Sequence, residues 1–438
     1  MEELKKGGIM RKRLTVMSLG VILILALVLT TSGCGGGGGD ESVIIGHPIC
    51  LSGTHAKAGE QAYGGVQACI KWVNDVHGGV SIGGEQFALE YISYDCESKK
   101  ETVTSLIERL ITVDNVDFIL APYSSGLTLA GAPIAEQYSM VYMDHGGASD
   151  RIFEQGYEYA VQTIGPGKLY HVGTLDMIHE VDPTATRVAL AYEESEFARM
   201  VMDGAEAHAE NLGFEIVFAE TYPQGVTDLT PLLSDLKATE PDIILGGGHY
   251  EDGQLLCRQV ADLDINASAI SLIASATLPA FYEALTCAAE GVMGPSHWEY
   301  GVTYSAEAAQ AAGLEWFGPS QDDFLDLFQE IAGEDLMPDY HAAEAGAAVL
   351  ALVLAAEKVD SLDSDAVRDA LGELNFMSFY GGWDVDETGL QVGHSMVDVQ
   401  WQDGERVIIW PAEAQTGELC YPIPTIAERE AGVKAIPD

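Results

Sequence analysis

From residue 43 onward, short apolar runs alternate with longer segments in which apolar side chains recur every three or four positions. The runs at 43–49, 87–94, 118–121 and 141–144, and again at 187–192, 215–222, 243–246 and 269–274, are short and rich in Val, Ile, Leu and Phe, which predicts strands. Between them the period is helical. Residues 61–76 place Val66, Ile70 and Val73 on one face, residues 100–113 do the same with Val103, Leu106, Ile107 and Leu110, and 200–212 and 229–238 repeat the pattern. This alternation predicts an α/β fold with parallel sheets and helices on both faces. Two sets of four strands, separated at Ile164-Gly165-Pro166, predict two similar, Rossmann-like lobes.

The last third changes character. Gly294-Pro295 reads as a second break, and residues 322–331, 340–357 and 365–374 read as helices, with Ser364 as N-cap of the last. Ala347, Leu350, Ala351 and Leu354 form a face that packs against a sheet. Phe379-Tyr380-Gly381-Gly382 is a turn, and residues 396–402 and 406–410 flank Asp403-Gly404, a strong hairpin signal. Helices followed by a late hairpin suit a chain that revisits both lobes. The expected division is residues 43–163 with 296–376 for the N-terminal lobe, 164–295 with 377–420 for the C-terminal lobe, and 421–438 as a tail.

Ahead of the first strand, Arg11-Lys12-Arg13 precedes an apolar stretch at 16–29, then Ser32-Gly33, Cys34 and five glycines at 35–39. A basic start, a short apolar core and small residues before a cysteine form an export signal. Ser32-Gly33-Cys34 resembles a lipobox, although Thr31 stands where such signals usually carry Leu. The resemblance implies a signal peptide over 1–33, lipidation of Cys34 and a Gly-rich tether over 34–42 at the outer face of the cytoplasmic membrane. A membrane-spanning anchor is the rival, but 14 apolar positions fall short of the ~20 that a spanning helix needs. Met10, directly before the basic cluster, is an alternative start.

The exported part carries 16 basic and 66 acidic residues, a net charge near −50, which makes nucleic acid and anionic membrane surfaces poor partners. The acids are dispersed and 47% of residues are hydrophobic, so the chain folds rather than forming an acidic tail. Besides Cys34 there are six cysteines, none spaced as C-x-x-C. Cys50 and Cys96 end predicted neighbouring strands and are the preferred disulfide pair. Asn266-Ala267-Ser268 is a sequon, a frequent chance match.

In open α/β sheets ligands bind beyond the carboxyl ends of strands. The first strand is followed by 51–59, containing His55 and Ala58, the third by Pro122-Tyr123-Ser124-Ser125-Gly126, and the fourth by His145-Gly146-Gly147-Ala148-Ser149. These Gly- and Ser-bearing loops offer backbone N–H groups and hydroxyls suited to a small anion. The matching second-lobe loops hold Phe197, Gly248-His249-Tyr250 and Ala274-Ser275. Ser124 and Ser125 fit either ligand contact or helix capping. Tyr123, Phe197, Tyr250 and Tyr340 fit either core or cleft. His55, His145, His249 and His341 lack ligand spacing and read as exposed or hydrogen-bonded histidines, so no metal and no cofactor is assigned. No P-loop, G-x-S-x-G or H-E-x-x-H occurs, which disfavours an enzyme and leaves a secreted hydrolase as a remote alternative.

The chain resembles the type I periplasmic binding proteins of the leucine/isoleucine/valine class, the substrate-binding subunits of ABC importers. The residues that carry this are Ile45-Gly46 leading into Leu51-Ser52-Gly53, Val73-Asn74-Asp75, Tyr94-Asp95, Pro122-Tyr123-Ser124-Ser125, Pro241-Asp242-Ile243-Ile244, Ala289-Glu290-Gly291-Val292, Asp339-Tyr340-His341-Ala342-Ala343 and Val399-Gln400-Trp401. The resemblance implies two lobes joined by three crossovers that close on a small ligand, a monomer working with ABC permease subunits. It places Ser124 or Ser125 on the ligand carboxylate, Gly146 with Ala148 or Ser149 beside it, Phe197 and His249 or Tyr250 as second-lobe walls, and an acid for the ligand ammonium near Ala274-Ser275. No acid stands there, which points away from an ordinary α-amino acid unless Glu251 or Asp252 compensates. A sensor that reports ligand to a receptor without transport is the second reading.

Overall fold

The computed structural model describes residues 42–435. Cys34, the glycine run and the expected signal peptide lie outside the described residues. Five strands form a wholly parallel sheet in the order Leu89–Asp95, Val43–Ile49, Phe118–Leu120, Tyr142–Asp144, Ala160–Gln162. A second sheet runs Glu215–Tyr222, Arg187–Glu193, Ile243–Gly247, Ala269–Leu272, Met293–Ser296, Val397–Gln402, Glu405–Trp410. Its first five strands are parallel and its last two are antiparallel. Phe118–Leu120 and Ile243–Gly247 are buried at every position, as parallel strands covered on both faces must be. No helix among the described residues is long and apolar enough to cross a membrane.

Each sheet holds one parallel strand more than the sequence pattern showed. Ala160–Gln162 has three residues, too few for a periodic signal. Met293–Ser296 contains the Gly294-Pro295 pair that reads as a break. Proline is tolerated because the parallel pairing with Ala269–Leu272 ends at Met293, so the N–H missing at Pro295 falls beyond the ladder. The N-cap of the helix Ser364–Glu373 is also one residue earlier than expected: the Asp363 carboxylate, not the Ser364 hydroxyl, accepts the N–H of Ala366 at 3.1 Å. The Asp403-Gly404 hairpin forms as read, with φ of 54° and 85° at the two turn residues.

Cys50 and Cys96 are disulfide-bonded, with Cα atoms 5.0 Å apart. The register of the first two strands pairs Ile49 with Asp95, so the next residue of each chain is brought alongside the other.

The chain passes between the lobes three times. The first passage follows Ala160–Gln162, and the second follows Met293–Ser296 and leads to the late helices. The third links the small sheet of Glu315–Trp316, Phe376–Ser378 and Gly381–Gly382 to the terminal hairpin. The helix Tyr340–Val359 is buried along nearly its whole length and packs on the helix Ala56–Trp72. The contact is close because small residues meet there. A Cβ added to Gly65 would run into the carbonyl of Ala342, and one on Gly346 would lie 2.7 Å from the Cys69 sulfur. Gly65→Val is therefore expected to destabilise the protein by about 1–3 kcal/mol through overpacking, read as a lower urea midpoint at unchanged m-value, with Gly372→Ala, exposed on a helix where an added Cβ comes no closer than 3.5 Å to another side chain, as the comparison.

Candidate functional site

The carboxyl ends of both parallel sheets face a cleft of about 550 Å³. His55 and Ser124 line it from the first lobe, Glu193, Phe197, His249 and Asp252 from the second. Each stands at a strand end or in the first turn of the following helix. Glu193 is the last residue of its strand. Ser195 caps the helix Glu196–Leu212 by accepting the Ala198 N–H at 3.2 Å, which fixes Phe197 at the cleft wall. His249 precedes the helix Tyr250–Asp262, and its N–H donates to Asp252 Oδ1 at 2.8 Å.

The lobes are in contact. The rings of His55 and His249 are 4.6 Å apart between centroids, those of Tyr123 and His249 5.9 Å. Ser149 donates to Glu196 across the gap at 3.4 Å, and Arg151 pairs with the same carboxylate at 3.0 Å.

On the second-lobe wall, His249 Nδ1 bonds Glu193 Oε2 at 2.7 Å, and the Tyr222 hydroxyl donates to Asp252 Oδ2 at 2.7 Å. Burial opposes charge on both members of the first pair, but their contact prevails: Glu193 is held below the usual carboxylate range and His249 is raised above its ordinary value. Burial, then the neighbouring Glu193 charge, raises Asp252. His55 is lowered to about 3, first by burial and then by His249. The lining holds five acids, Glu193, Glu194, Glu196, Glu251 and Asp252, against Lys100 and Arg199, so its field favours positive charge.

The residues expected from sequence fall in different places. Ser124 lies in the cleft, its hydroxyl 3.3 Å from His55 Nε2 and making no cap bond. Ser125 is buried and accepts the Ser149 N–H at 3.2 Å. The Gly146 and Gly147 N–H groups were expected to be open to a ligand; both donate to Asp144 Oδ1, at 3.1 and 2.6 Å. Ala148 is buried and its carbonyl accepts the Gly167 N–H. Phe197 packs edge-on to Tyr170, with centroids 5.3 Å apart, and beside His249. Tyr250 turns its hydroxyl to the Ala280 carbonyl at 3.0 Å. Ala58 is buried in the first helix, and Ser275 is buried with no partner for its hydroxyl. Tyr123 sits between His55 and His341, and Tyr340 is buried and stacked on His341.

Of the two readings open for His55, His145, His249 and His341, exposed or hydrogen-bonded, the second is found: all four are buried and bonded, to Ser124, His47, Glu193 and Asp339. His47, His171, His297 and His394 are buried as well. Behind the cleft they join tyrosines in a seam through which all three passages run. Tyr170 comes from the first passage, His297 from the second, and Tyr380 and His394 from the third, with centroids 5.0 Å apart for Tyr170–His297, 5.4 Å for His297–His394 and 4.2 Å for Tyr380–His394. Glu344, on the helix Tyr340–Val359, is fully buried with both oxygens unpartnered, and burial raises it well above the carboxylate range. Sequence reading missed Glu193 and Glu344. Glu193 was within reach, since the strand-end rule that selects Ser124 selects it too. Glu344 was passed over although it is one of only two acids on a helix that is otherwise almost wholly apolar.

Two α/β lobes with a ligand-sized cleft at the strand ends of both sheets define a hinged binder. A family model described as periplasmic binding protein matches residues 42–406, and the chain belongs to that family. Its family and fold are those of solute-binding proteins. A Leu/Ile/Val-binding protein homolog of Brucella abortus is 24% identical over 383 residues, covering 85% of this chain and 92% of the relative. Among solved structures, a leucine-binding protein from Thermotoga maritima aligns with a TM-score of 0.72 at 20% identity, over 84% of this chain and 98% of its own. A branched-chain amino acid transporter substrate-binding protein from Streptococcus pneumoniae, solved with isoleucine, gives 0.72 at 22% identity, over 85% and 100%. A solute-binding protein from R. palustris, solved with benzoate, gives 0.71 at 16% identity, over 88% and 98%.

Buried acids set a pH dependence. Burial pushes Asp144 up to about 8, and Glu299 and Asp398 up to about 7. Folding takes up protons on these groups between about pH 4 and their folded values, so they lower stability as pH rises through that window. Neutral His55, His145 and His171, lowered to about 3, and His394, lowered to about 4, act oppositely, raising stability up to about pH 6.5 and adding nothing further above it. The raised His249 has the same sign as the acids. The melting temperature measured by calorimetry is therefore expected to fall from pH 6.5 to 8.5, and Asp144→Asn, which keeps an oxygen acceptor for the two glycine N–H groups, is expected to make that fall shallower.

Proposed function

We propose that this chain is the extracytoplasmic solute-binding lipoprotein of an ABC importer, tethered through Cys34 and closing its two lobes on a small polar ligand of the branched-chain amino acid type or a related carboxylate or amide. The observation that carries the reading is a single cleft built from strand ends of both lobes, with Ser124 on one side facing Phe197, His249 and Glu193 on the other. A ligand there touches both lobes at once, so it stabilises the closed arrangement by its differential affinity for it, and the permease recognises that form. With lobe boundaries taken near residues 163, 295 and 377, the hinge of this reading runs through the seam of Tyr170, His297, Tyr380 and His394.

Ser124 offers a hydroxyl to the ligand carboxylate and Phe197 an apolar wall for its side chain. The acid expected near Ala274-Ser275 is replaced by Glu193 and Asp252 on the neighbouring strand and helix, which face the same cleft and suit an ammonium group. The names of the relatives, and the isoleucine bound to one structural neighbour, favour an amino acid; the benzoate bound to another favours a carboxylate without an ammonium.

A thermal-shift screen of leucine, isoleucine, valine, other amino acids, benzoates and amides tests this. A ligand at a hundred times its Kd stabilises by about 2.7 kcal/mol, and Ser124→Ala is expected to weaken it about tenfold or more, the loss of a hydrogen bond to a charged group. Stabilisation by benzoates with none by amino acids would assign a ligand lacking the ammonium. No stabilisation by any member of the panel, or unchanged affinity in Ser124→Ala combined with Phe197→Ala, would remove the proposal.

A further inference from the structure

Glu193, His249 and Asp252 do more than line the cleft. Each offers a ligand atom, and the three atoms lie within 4.8 Å of one another. All three side chains are buried, and they come from a strand end, an N-cap and a first helical turn, positions the fold holds firmly. His249 is the N-cap and Asp252 the third residue of the same helix, joined by the bond from the His249 N–H to Asp252 Oδ1 at 2.8 Å. Their surroundings are those of metal ligands. The Tyr222 hydroxyl orients Asp252 at 2.7 Å, and the Gln224 amide reaches Glu193 Oε2 at 3.4 Å. An independent observation points the same way. His249 Nε2 and His55 Nδ1 have no hydrogen-bond partner, though both residues are more than nine-tenths buried, and their rings meet 4.6 Å apart across the lobe boundary. Unpartnered ring nitrogens also occur on His145, His171, His297, His341 and His394; what sets His249 apart is that it stands with two buried carboxylates, their ligand atoms within 4.8 Å of one another.

We propose that Glu193, His249 and Asp252 form a binding site for a divalent transition-metal cation of the Zn²⁺ class, with His55 of the opposite lobe completing the coordination and so linking metal binding to lobe closure. Imidazole and carboxylate donors in a four-fold set suit Zn²⁺ rather than Ca²⁺ or Mg²⁺, which take six or more oxygens. Tetrahedral bond lengths near 2.0–2.2 Å place donors about 3.3 Å apart, within reach of 4.8 Å by small side-chain rotations. The cation and the ammonium of an amino-acid ligand would draw on the same carboxylates and exclude one another. The inference does not rest on the ligand's identity, and its test uses the metal alone.

The test is calorimetric titration of ZnCl₂ into the EDTA-stripped full chain, with MgCl₂ and CaCl₂ as controls and small-angle scattering to follow compaction. One tight Zn²⁺ per chain is expected above the weak binding of the acidic surface. His249→Ala and Asp252→Asn are each expected to lose at least about tenfold in affinity, the second keeping the cap oxygen so that folding is undisturbed, as circular dichroism checks. His55→Ala is expected to bind more weakly and to lose the Zn²⁺-dependent decrease in radius of gyration. Absence of a stoichiometric site, or equal affinity in His249→Ala and Asp252→Asn, overturns the site; unchanged compaction in His55→Ala overturns the bridge. Amino acids that still raise the melting temperature in EDTA would leave the solute-binding reading standing on its own.

Discussion

The structure depends on keeping titratable groups neutral or paired where the two lobes meet. Three chain passages converge on one seam, and a seam that carried bulk water would not hold two sheets in a defined relation. It is filled instead with imidazole and phenol rings packed edge-on or stacked, His297 against Tyr170 and His394 against Tyr380 among them. Desolvation lowers most of the buried histidines and raises Asp144, Glu344 and Asp398, while Glu193 is paired with His249, so the interior carries little net charge despite a strongly acidic surface. Polar packing of this kind is weaker than an aliphatic core but geometrically specific, which suits a hinge that must return to the same closed arrangement.

Around that seam the parts differ in stiffness. The crossing of Ala56–Trp72 with Tyr340–Val359 brings backbones together at Gly65 and Gly346 and leaves no slack. The disulfide Cys50–Cys96 ties the first two strands just where the His55 loop leaves the sheet. The cleft itself is bridged by few contacts, Ser149 and Arg151 with Glu196 and the His55–His249 ring pair. Rigid lobes with a lightly latched opening are what ligand-driven closure requires, because the ligand's own contacts must be able to decide the equilibrium.

Much of this was legible along the chain. Local signals did best. Asp403-Gly404 set a hairpin whose two turn residues both take positive φ, and Cys50 and Cys96 paired because each follows a strand that the pattern had already placed. Signals shorter than one period failed: Ala160–Gln162 is three residues long, and Met293–Ser296 was hidden by a proline that only an interrupted ladder can tolerate. In the cleft, the strand-end rule found Ser124, Phe197 and His249, while Gly146 and Gly147 looked open because nothing in the sequence says that Asp144 folds back to accept their N–H groups.

By itself the sequence determined most of the order of strands and helices, the pair of similar lobes and the loops that face the cleft, since each follows from hydrophobic period and turn chemistry within a few residues. Only the tertiary structure decided which side chains share an environment. His47 and His145 are 98 positions apart and touch at 3.2 Å, and Glu193 meets His249 across 56 positions. Burial and electrostatic partnership are sums over such distant neighbours, so the charge state of a histidine or an acid, and with it the chemistry of the cleft, exists only once the chain has closed on itself.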